Sequence, residues 1–350
     1  MCGRSERRAG RLPGSGPELP PEPRLVDSHG RVIDYARLSL TDRCNFRCVY
    51  CMPEHGRESL PHKDILSYEE LLGFCRVSAS LGISRFKITG GEPFCRKGVE
   101  SFIQRLNNVP GVRQITVTTN GMLLEKHLPL LCEVGVSGIN VSLDTLNPDR
   151  FAALSRSAEP LQRVLSALDA AKQLGLAVKI NTVPLKGRNE EDLPELVAFA
   201  LERGFFLRFI ELMPVGEGCE YEPVSQESIR DMVEKRFGTL QPLQKRIGNG
   251  PAEHFTVAGH AGGVGFISAL SKKFCHACNR LRLTSQGYLK TCLHHNKGID
   301  LMPLLRGDAS DAELALAIRG AVKEKPLSHE FDPKAGLGGR GRFNMNSVGG

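Results

Sequence analysis

The chain has 350 residues, of which 41% are hydrophobic, and carries a formal charge of +7 from 46 Lys and Arg against 39 Asp and Glu. That length permits one large α/β domain with an appendage, or two ordinary domains. No apolar stretch approaches the ~18 to 20 uninterrupted residues of a membrane span, and the N-terminus lacks an apolar signal core, so a soluble, cytoplasmic protein with no membrane partner is expected.

Residues 1–24 are rich in Arg, Pro and Gly, a composition that cannot bury enough surface to fold, and are read as a disordered tail. Glu6, Glu18 and Glu22 and the prolines weigh against a transit peptide. From Tyr35 the pattern predicts strands over Tyr35–Leu40, Arg85–Thr89, Gln114–Thr118, Ile139–Leu143, Ala177–Val183 and Phe206–Glu211. Helices are predicted between them at Ser67–Leu81, Gly98–Asn107, Leu123–Val134, Leu161–Leu174 and Leu193–Arg203. Ser67 with Glu70 makes a capping-box start, and Gly82, Gly135, Gly175 and Gly204 stand where helix C-caps belong. Six alternating units imply a parallel sheet with right-handed crossovers, either an open doubly wound sheet or a partial (βα)6 barrel. After Pro214 come a helix over Ser225–Phe237, short strands and Gly-rich turns to about residue 292, a helix near Ala312–Lys323, and a Gly-rich end.

Eleven cysteines without a secretory signal point away from a disulfide framework and toward metal or redox chemistry. Cys75 and Cys132 fall in apolar helical patterns and read as small hydrophobes. Cys44, Cys48 and Cys51 form a Cys-x3-Cys-x2-Cys triplet directly after the first strand. A zinc site would need a fourth ligand such as His55 or Asp42. A [4Fe-4S] cluster on three thiolates would instead leave one iron open to chelate the amino and carboxylate groups of S-adenosylmethionine (SAM) beside a reducible centre.

The run Leu38 to Cys51, Leu-Ser-Leu-Thr-Asp-Arg-Cys-Asn-Phe-Arg-Cys-Val-Tyr-Cys, resembles the signature loop of radical SAM enzymes. The resemblance implies a partial TIM barrel with the cluster at its C-terminal mouth, and Tyr50 packed by the adenine of SAM. Gly90-Gly91-Glu92-Pro93, at the end of the second strand, resembles the element that holds the SAM ammonium through bare backbone and a carboxylate. Ser142 and Met213 would complete the SAM pocket. Polar residues end the later strands as well: Thr118 to Gly121, Ser142 with Asp144, Lys179 with Asn181, and Arg208 with Glu211.

A second triplet, Cys275, Cys278 and Cys292, has spacing suited to a zinc ribbon completed by His294 or His295. It also suits a second cluster with an open iron. Arg280 and Arg282 alternate on a strand and would face one side, toward a polyanion. The segment Cys-Asn-Arg-Leu-Arg-Leu, together with Phe209–Gly218, Gly265–Ser268 and the terminal Gly349-Gly350, is similar to the GTP 3′,8-cyclases of molybdenum-cofactor biosynthesis over about residues 25–350. That family resemblance implies two [4Fe-4S] clusters, SAM, and GTP as substrate. It also implies conversion of GTP to (8S)-3′,8-cyclo-7,8-dihydroguanosine 5′-triphosphate, for a downstream cyclic pyranopterin monophosphate synthase, with a separate electron donor. Arg37, Lys87, Thr118, Lys179, Arg280, Leu281 and Arg282 would hold GTP, with Arg208 nearby, and Gly349 and Gly350 would reach into the active site. Lys87 stands where the family usually has Arg, a point charge in place of a bidentate fork, with Arg85 beside it to compensate.

The expected organisation is therefore a tail over 1–24, a barrel over 25–215, and a C-terminal cluster-binding extension over 216–350. A homodimer is compatible with it. Two other readings are a radical SAM peptide maturase with an auxiliary cluster, and a zinc protein that binds nucleic acid. The first would carry more C-terminal cysteines. The second would carry a basic–aromatic strip, whereas this chain has 6% aromatic residues and no Trp, so no nucleic-acid partner is expected.

Overall fold

The computed structural model describes residues 24–245 and 247–331, so nearly all of the expected tail, and Gly349-Gly350, lie outside the described residues. Six strands appear where the sequence places them: β1 (Tyr35–Ser39), β2 (Arg85–Thr89), β3 (Gln114–Thr119), β4 (Gly138–Ser142), β5 (Val178–Thr182) and β6 (Phe206–Ile210). They pair in parallel in chain order, with no switch point. Right-handed crossovers on such an order put every helix on one face, which distinguishes a partial barrel from a doubly wound sheet.

Side-chain alternation says the same. Leu38, Phe86, Ile88, Val117, Ile139, Val141, Ile180 and Leu207 are fully buried on the helix-covered face. Each such burial contributes roughly 1.5–3 kcal/mol. Between them, Arg37, Lys87, Thr118, Asn140, Lys179, Asn181 and Arg208 line one concave cavity on the opposite face. Tyr35 and Arg37 of β1 line the same cavity as Arg208 of β6, so the sheet is curled.

Later strands extend both edges of this sheet. β7 (Gln241–Pro242), β8 (Glu253–Thr256) and β9 (Gly263–Ile267) continue from β6, with β9 parallel to it. β10 (Arg280–Leu283), β11 (Tyr288–Lys290) and β12 (Gly298–Asp300) continue from β1, with β10 parallel to it. Gly265 of β9 lies beside Arg208, and a Cβ there would sit 3.2 Å from Arg208 Cγ.

Helix α1 (Tyr68–Ser80) opens on the expected Ser67/Glu70 capping box. The other expected helices are α2 (Val99–Asn107), α3 (Leu128–Val134), α5 (Gln162–Gln173), α6 (Leu193–Glu202) and α7 (Gln226–Phe237). The last helices among the described residues are α8 (Met302–Arg306) and α9 (Asp311–Lys323). Helix α3 begins later than the sequence pattern suggests, because a 3-10 turn at Glu125–His127 precedes its Pro129. Helix α4 (Pro148–Ser155) was not expected. Among the described residues no helix is long and apolar enough to cross a membrane.

Candidate functional site

One cavity of about 1020 Å³ occupies the concave face, and both cysteine triplets line it. The first triplet is held by the loop after β1. The main chain of that loop is fastened to the C-terminal end of α4: Arg47 N donates to Ser155 O (2.8 Å) and Val49 N to Leu154 O (2.9 Å). Phe46 packs edge-on against Phe151, with 5.6 Å between centroids. Cys44 Sγ accepts from Phe46 N (3.4 Å) and lies 3.9 Å from Asn120 Nδ2. Burial pushes the Cys44 thiol up to about 12 and Cys51 to about 11, and lifts Cys48 as well, with the neighbouring thiols adding to the shift at Cys44 and Cys48. Three buried sulfurs therefore keep their protons until a cationic group takes their charge, as a metal cluster does.

The chemistry of the donors fits a cluster better than a single ion. Among the described residues the trio of ligand atoms within 4.8 Å of one another is His294, His295 and Glu330, which contains no cysteine. The histidines that could complete a zinc ribbon thus gather with a glutamate, and His295 Nε2 is engaged with Ser328 O at 3.0 Å.

The Gly-Gly-Glu-Pro element packs directly on the cluster loop. Gly91 N donates to Thr41 O (2.7 Å) and Glu92 N to Arg43 O (2.8 Å). A Cβ at Gly91 would be driven into the Arg43 carbonyl, so this approach needs glycine. The Glu92 carboxylate departs from the expectation of a free partner for an ammonium. It is 1% exposed and accepts from Asn120 N (2.7 Å), Thr119 Oγ1 (2.9 Å) and Phe94 N (3.1 Å). It braces the β2 loop to the β3 loop, while burial lifts its pKa to about 7.

Tyr50, Ser142 and Met213 line the same end of the cavity. The Tyr50 hydroxyl donates to Asp144 Oδ2 at 2.7 Å, which fixes its ring. Asp144 also accepts from Val183 N (2.8 Å), yet burial holds its pKa up near 6.

The middle of the cavity is cationic. Arg37, Lys87, Lys179, Arg208, Arg280 and Arg282 all face it. Lys87 Nζ reaches Thr118 Oγ1 at 3.4 Å. Arg208 donates through Nη2 to Asn140 Oδ1 (2.6 Å) and through Nε to Asn181 Oδ1 (2.9 Å). Among the described residues no carboxylate forms an ion pair with Lys87, Lys179, Arg208 or Arg280. Burial, then mutual repulsion, pulls Lys87 well below the usual ammonium range and Lys179 to about 8. Buried cations held against each other by neutral amides are costly unless an anion joins them.

Two expected contributors stand elsewhere. Leu281 alternates onto the opposite face from Arg280 and Arg282 and is fully buried in the core, so only its main chain borders the strip. Arg85 pairs with Asp34 at 3.0 Å and does not line the cavity, so it does not substitute for Lys87.

The second triplet sits across the cavity. Cys275 opens a 3-10 turn (Cys275–Ala277) before β10, Cys278 directly follows that turn, and Cys292 follows β11. Arg31, which sequence reasoning missed, pins this region. It pairs with Asp27 (2.6 Å) and donates to Cys275 O (2.8 Å), Leu327 O (2.9 Å) and Pro326 O (2.7 Å). Burial would raise the Cys278 thiol, but Arg280 and Lys325 outweigh it and bring it down to about 7. The Asn120, Asn140 and Asn181 contacts were likewise not foreseen as such. Strand-end positions marked Asn120 and Asn181, and nothing marked Asn140, which lies inside β4.

The radical SAM superfamily model matches residues 38–200, and the Molybdenum Cofactor Synthesis C model matches residues 205–331. The chain is similar to a GTP 3′,8-cyclase of Pelotomaculum thermopropionicum, 42% identical over 93% of this chain and 100% of the relative. It is also similar to those of Clostridium perfringens (40%; 89% of this chain, 96% of the relative) and Paracoccus denitrificans (43%; 88% and 90%). Among solved structures, Streptococcus suis SuiB bound to S-adenosylmethionine has the same fold, with a TM-score of 0.56 at 18% identity over 83% of this chain and 69% of that one.

Proposed function

The chain belongs to the GTP 3′,8-cyclase family of radical SAM enzymes, and we propose that its cavity holds GTP between two [4Fe-4S] clusters, one on Cys44, Cys48 and Cys51 and the other on Cys275, Cys278 and Cys292. It is a radical SAM enzyme that converts GTP to (8S)-3′,8-cyclo-7,8-dihydroguanosine 5′-triphosphate, the first step of molybdenum-cofactor biosynthesis. The peptide-maturase and zinc readings give way to relatives of about 40% identity across most of the chain.

One observation carries the placement of the substrate: a cationic lining, buried and short of counter-charge, midway between the two triplets. SAM bound at the first cluster supplies a carbon radical able to take a hydrogen atom from the ribose. Tyr50, Ser142 and Met213, with the Gly91 backbone, form the SAM end. Arg37, Lys87, Lys179, Arg280 and Arg282 receive the triphosphate, and Thr118 orients Lys87. Arg208 is fixed by Asn140 and Asn181 and presents a preorganised cation to the same anion. Such preorganisation matters because misplacing the reacting hydrogen by ~1 Å can cost ~10²-fold in rate. Cys275, Cys278 and Cys292 would hold a second cluster that would supply an open iron for the guanine edge and electrons for the reduction that completes cyclisation. Residues 25–215 thereby serve the radical chemistry and 216–350 the second cluster, the described part of the latter, to residue 331, lining the opposite wall. A cyclic pyranopterin monophosphate synthase consumes the product, and a separate donor supplies electrons.

Anaerobic incubation with reductant, SAM and GTP tests this reading. 5′-Deoxyadenosine should form only when GTP is present, together with the cyclised nucleotide. Turnover on a peptide and none on GTP would overturn it.

A further inference from the structure

Lys325 is an ammonium group with 3% exposure, two residues beyond α9. It is no surface lysine, and it pairs with no carboxylate among the described residues. Its Nζ donates to Arg280 O (3.0 Å) at the start of β10 and to Thr291 O immediately before Cys292. Its charge acts on the Cys278 and Cys292 thiols beside these carbonyls. One –NH3⁺ thus ties together the two cysteine-bearing segments through their main chain. The residues that follow are fixed from the other side, since Arg31 ties Pro326 O and Leu327 O to Cys275 O.

A cation kept in this position costs desolvation and returns nothing to a neutral thiol. Beside a cluster that becomes more negative on reduction, its charge favours the reduced form. We infer that Lys325 positions the second cysteine triplet and raises the reduction potential of the cluster it carries. The inference rests on the reading that Cys275, Cys278 and Cys292 hold a cluster, and it concerns a residue that does not line the cavity.

An EPR-monitored redox titration of the reconstituted full-length protein tests it. Lys325→Met keeps the length and removes the charge. The second cluster's potential should fall by at least ~59 mV, a tenfold change in its one-electron reduction constant, while the first cluster stays put. Lys325→Arg should stay near the parent value. Selective loss of the second cluster in Lys325→Met, with the first intact, also supports the positioning role. If Lys325→Met does not fold, Lys325→Gln, which keeps a donor without the charge, gives the same reading. An unchanged second potential in a protein with both clusters overturns the inference alone, as does an equal shift of both potentials. A parent protein that takes up only about four iron atoms per chain removes the two-cluster reading, and the inference with it.

Discussion

Lys179 is a cavity cation whose charge changes near neutrality, because burial first and Arg208 second bring its pKa to about 8. Below that pH the ammonium is charged, and above it the proton is lost. A triphosphate favours the charged form, so GTP binding should draw a proton back at high pH. The KM for GTP should be flat below about pH 8 and rise above it, and Lys179→Arg should flatten the rise. A KM that ignores pH from about 7 to 9 in the parent would take Lys179 out of the phosphate site. Lys87→Met should raise that KM by about ten- to a hundredfold, the ~1.5–3 kcal/mol of a hydrogen bond to a charged group, with SAM binding unchanged by calorimetry. The strand-end cations were legible because each falls at an inward position of a parallel strand. Leu281, expected within the Arg280 to Arg282 strip, turns its side chain to the core by period-2 alternation, which leaves its main chain on the strip. Arg31 and Lys325 were not legible at all. Their partners lie 244 and 45 residues away in sequence, and nothing local announces them.

At the scale of elements, α4 shows what the hydrophobic pattern overlooks. It spans only Pro148–Ser155, too short to show a helical period. Its start was nevertheless written in Asn147-Pro148-Asp149. Asn147 Oδ1 accepts from Asp149 N and Arg150 N (both 3.0 Å), and Pro148 needs no donor at the first helical position. The consequence reaches the chemistry, since Leu154 O and Ser155 O hold the first cysteine loop. Asn147→Ala should cost about 1 kcal/mol of stability, seen as a lowered Tm, and should loosen the first cluster before the second. The loop's other support is Gly91, whose replacement by Ala cannot be relieved by a side-chain rotation because the obstacle is backbone. Gly91→Ala should leave a folded barrel by circular dichroism and reduce reductive SAM cleavage by about 10²-fold or more. Cleavage at the parent rate would show that the loop tolerates displacement.

For the molecule as a whole, the choice between a doubly wound sheet and a partial barrel was open in periodicity but closed in polarity. A parallel sheet covered by helices on both faces reads apolar at nearly every position. Here Arg37, Lys87, Asn140, Lys179 and Arg208 interrupt the strands on alternate residues, so one face must look onto a polar space. What the sequence could not convey is that β9 and β10 join opposite edges of the curled sheet, beside β6 and β1. That closure carries Cys275, Cys278 and Cys292 across the cavity from Cys44, Cys48 and Cys51 and makes one site of two motifs some 230 residues apart in a chain of 350. The two halves of the chemistry should therefore separate by mutation. Anaerobic reconstitution should give about eight iron and eight sulfide per chain, falling to about four of each in Cys275→Ser. That variant keeps the SAM pocket intact, so its affinity for SAM should match the parent. It loses the wall opposite the radical and the centre that serves the final reduction, so cyclised nucleotide should be absent. Product formed at the parent yield with four irons missing would mean that the first triplet, with the cationic lining alone, suffices for the whole reaction.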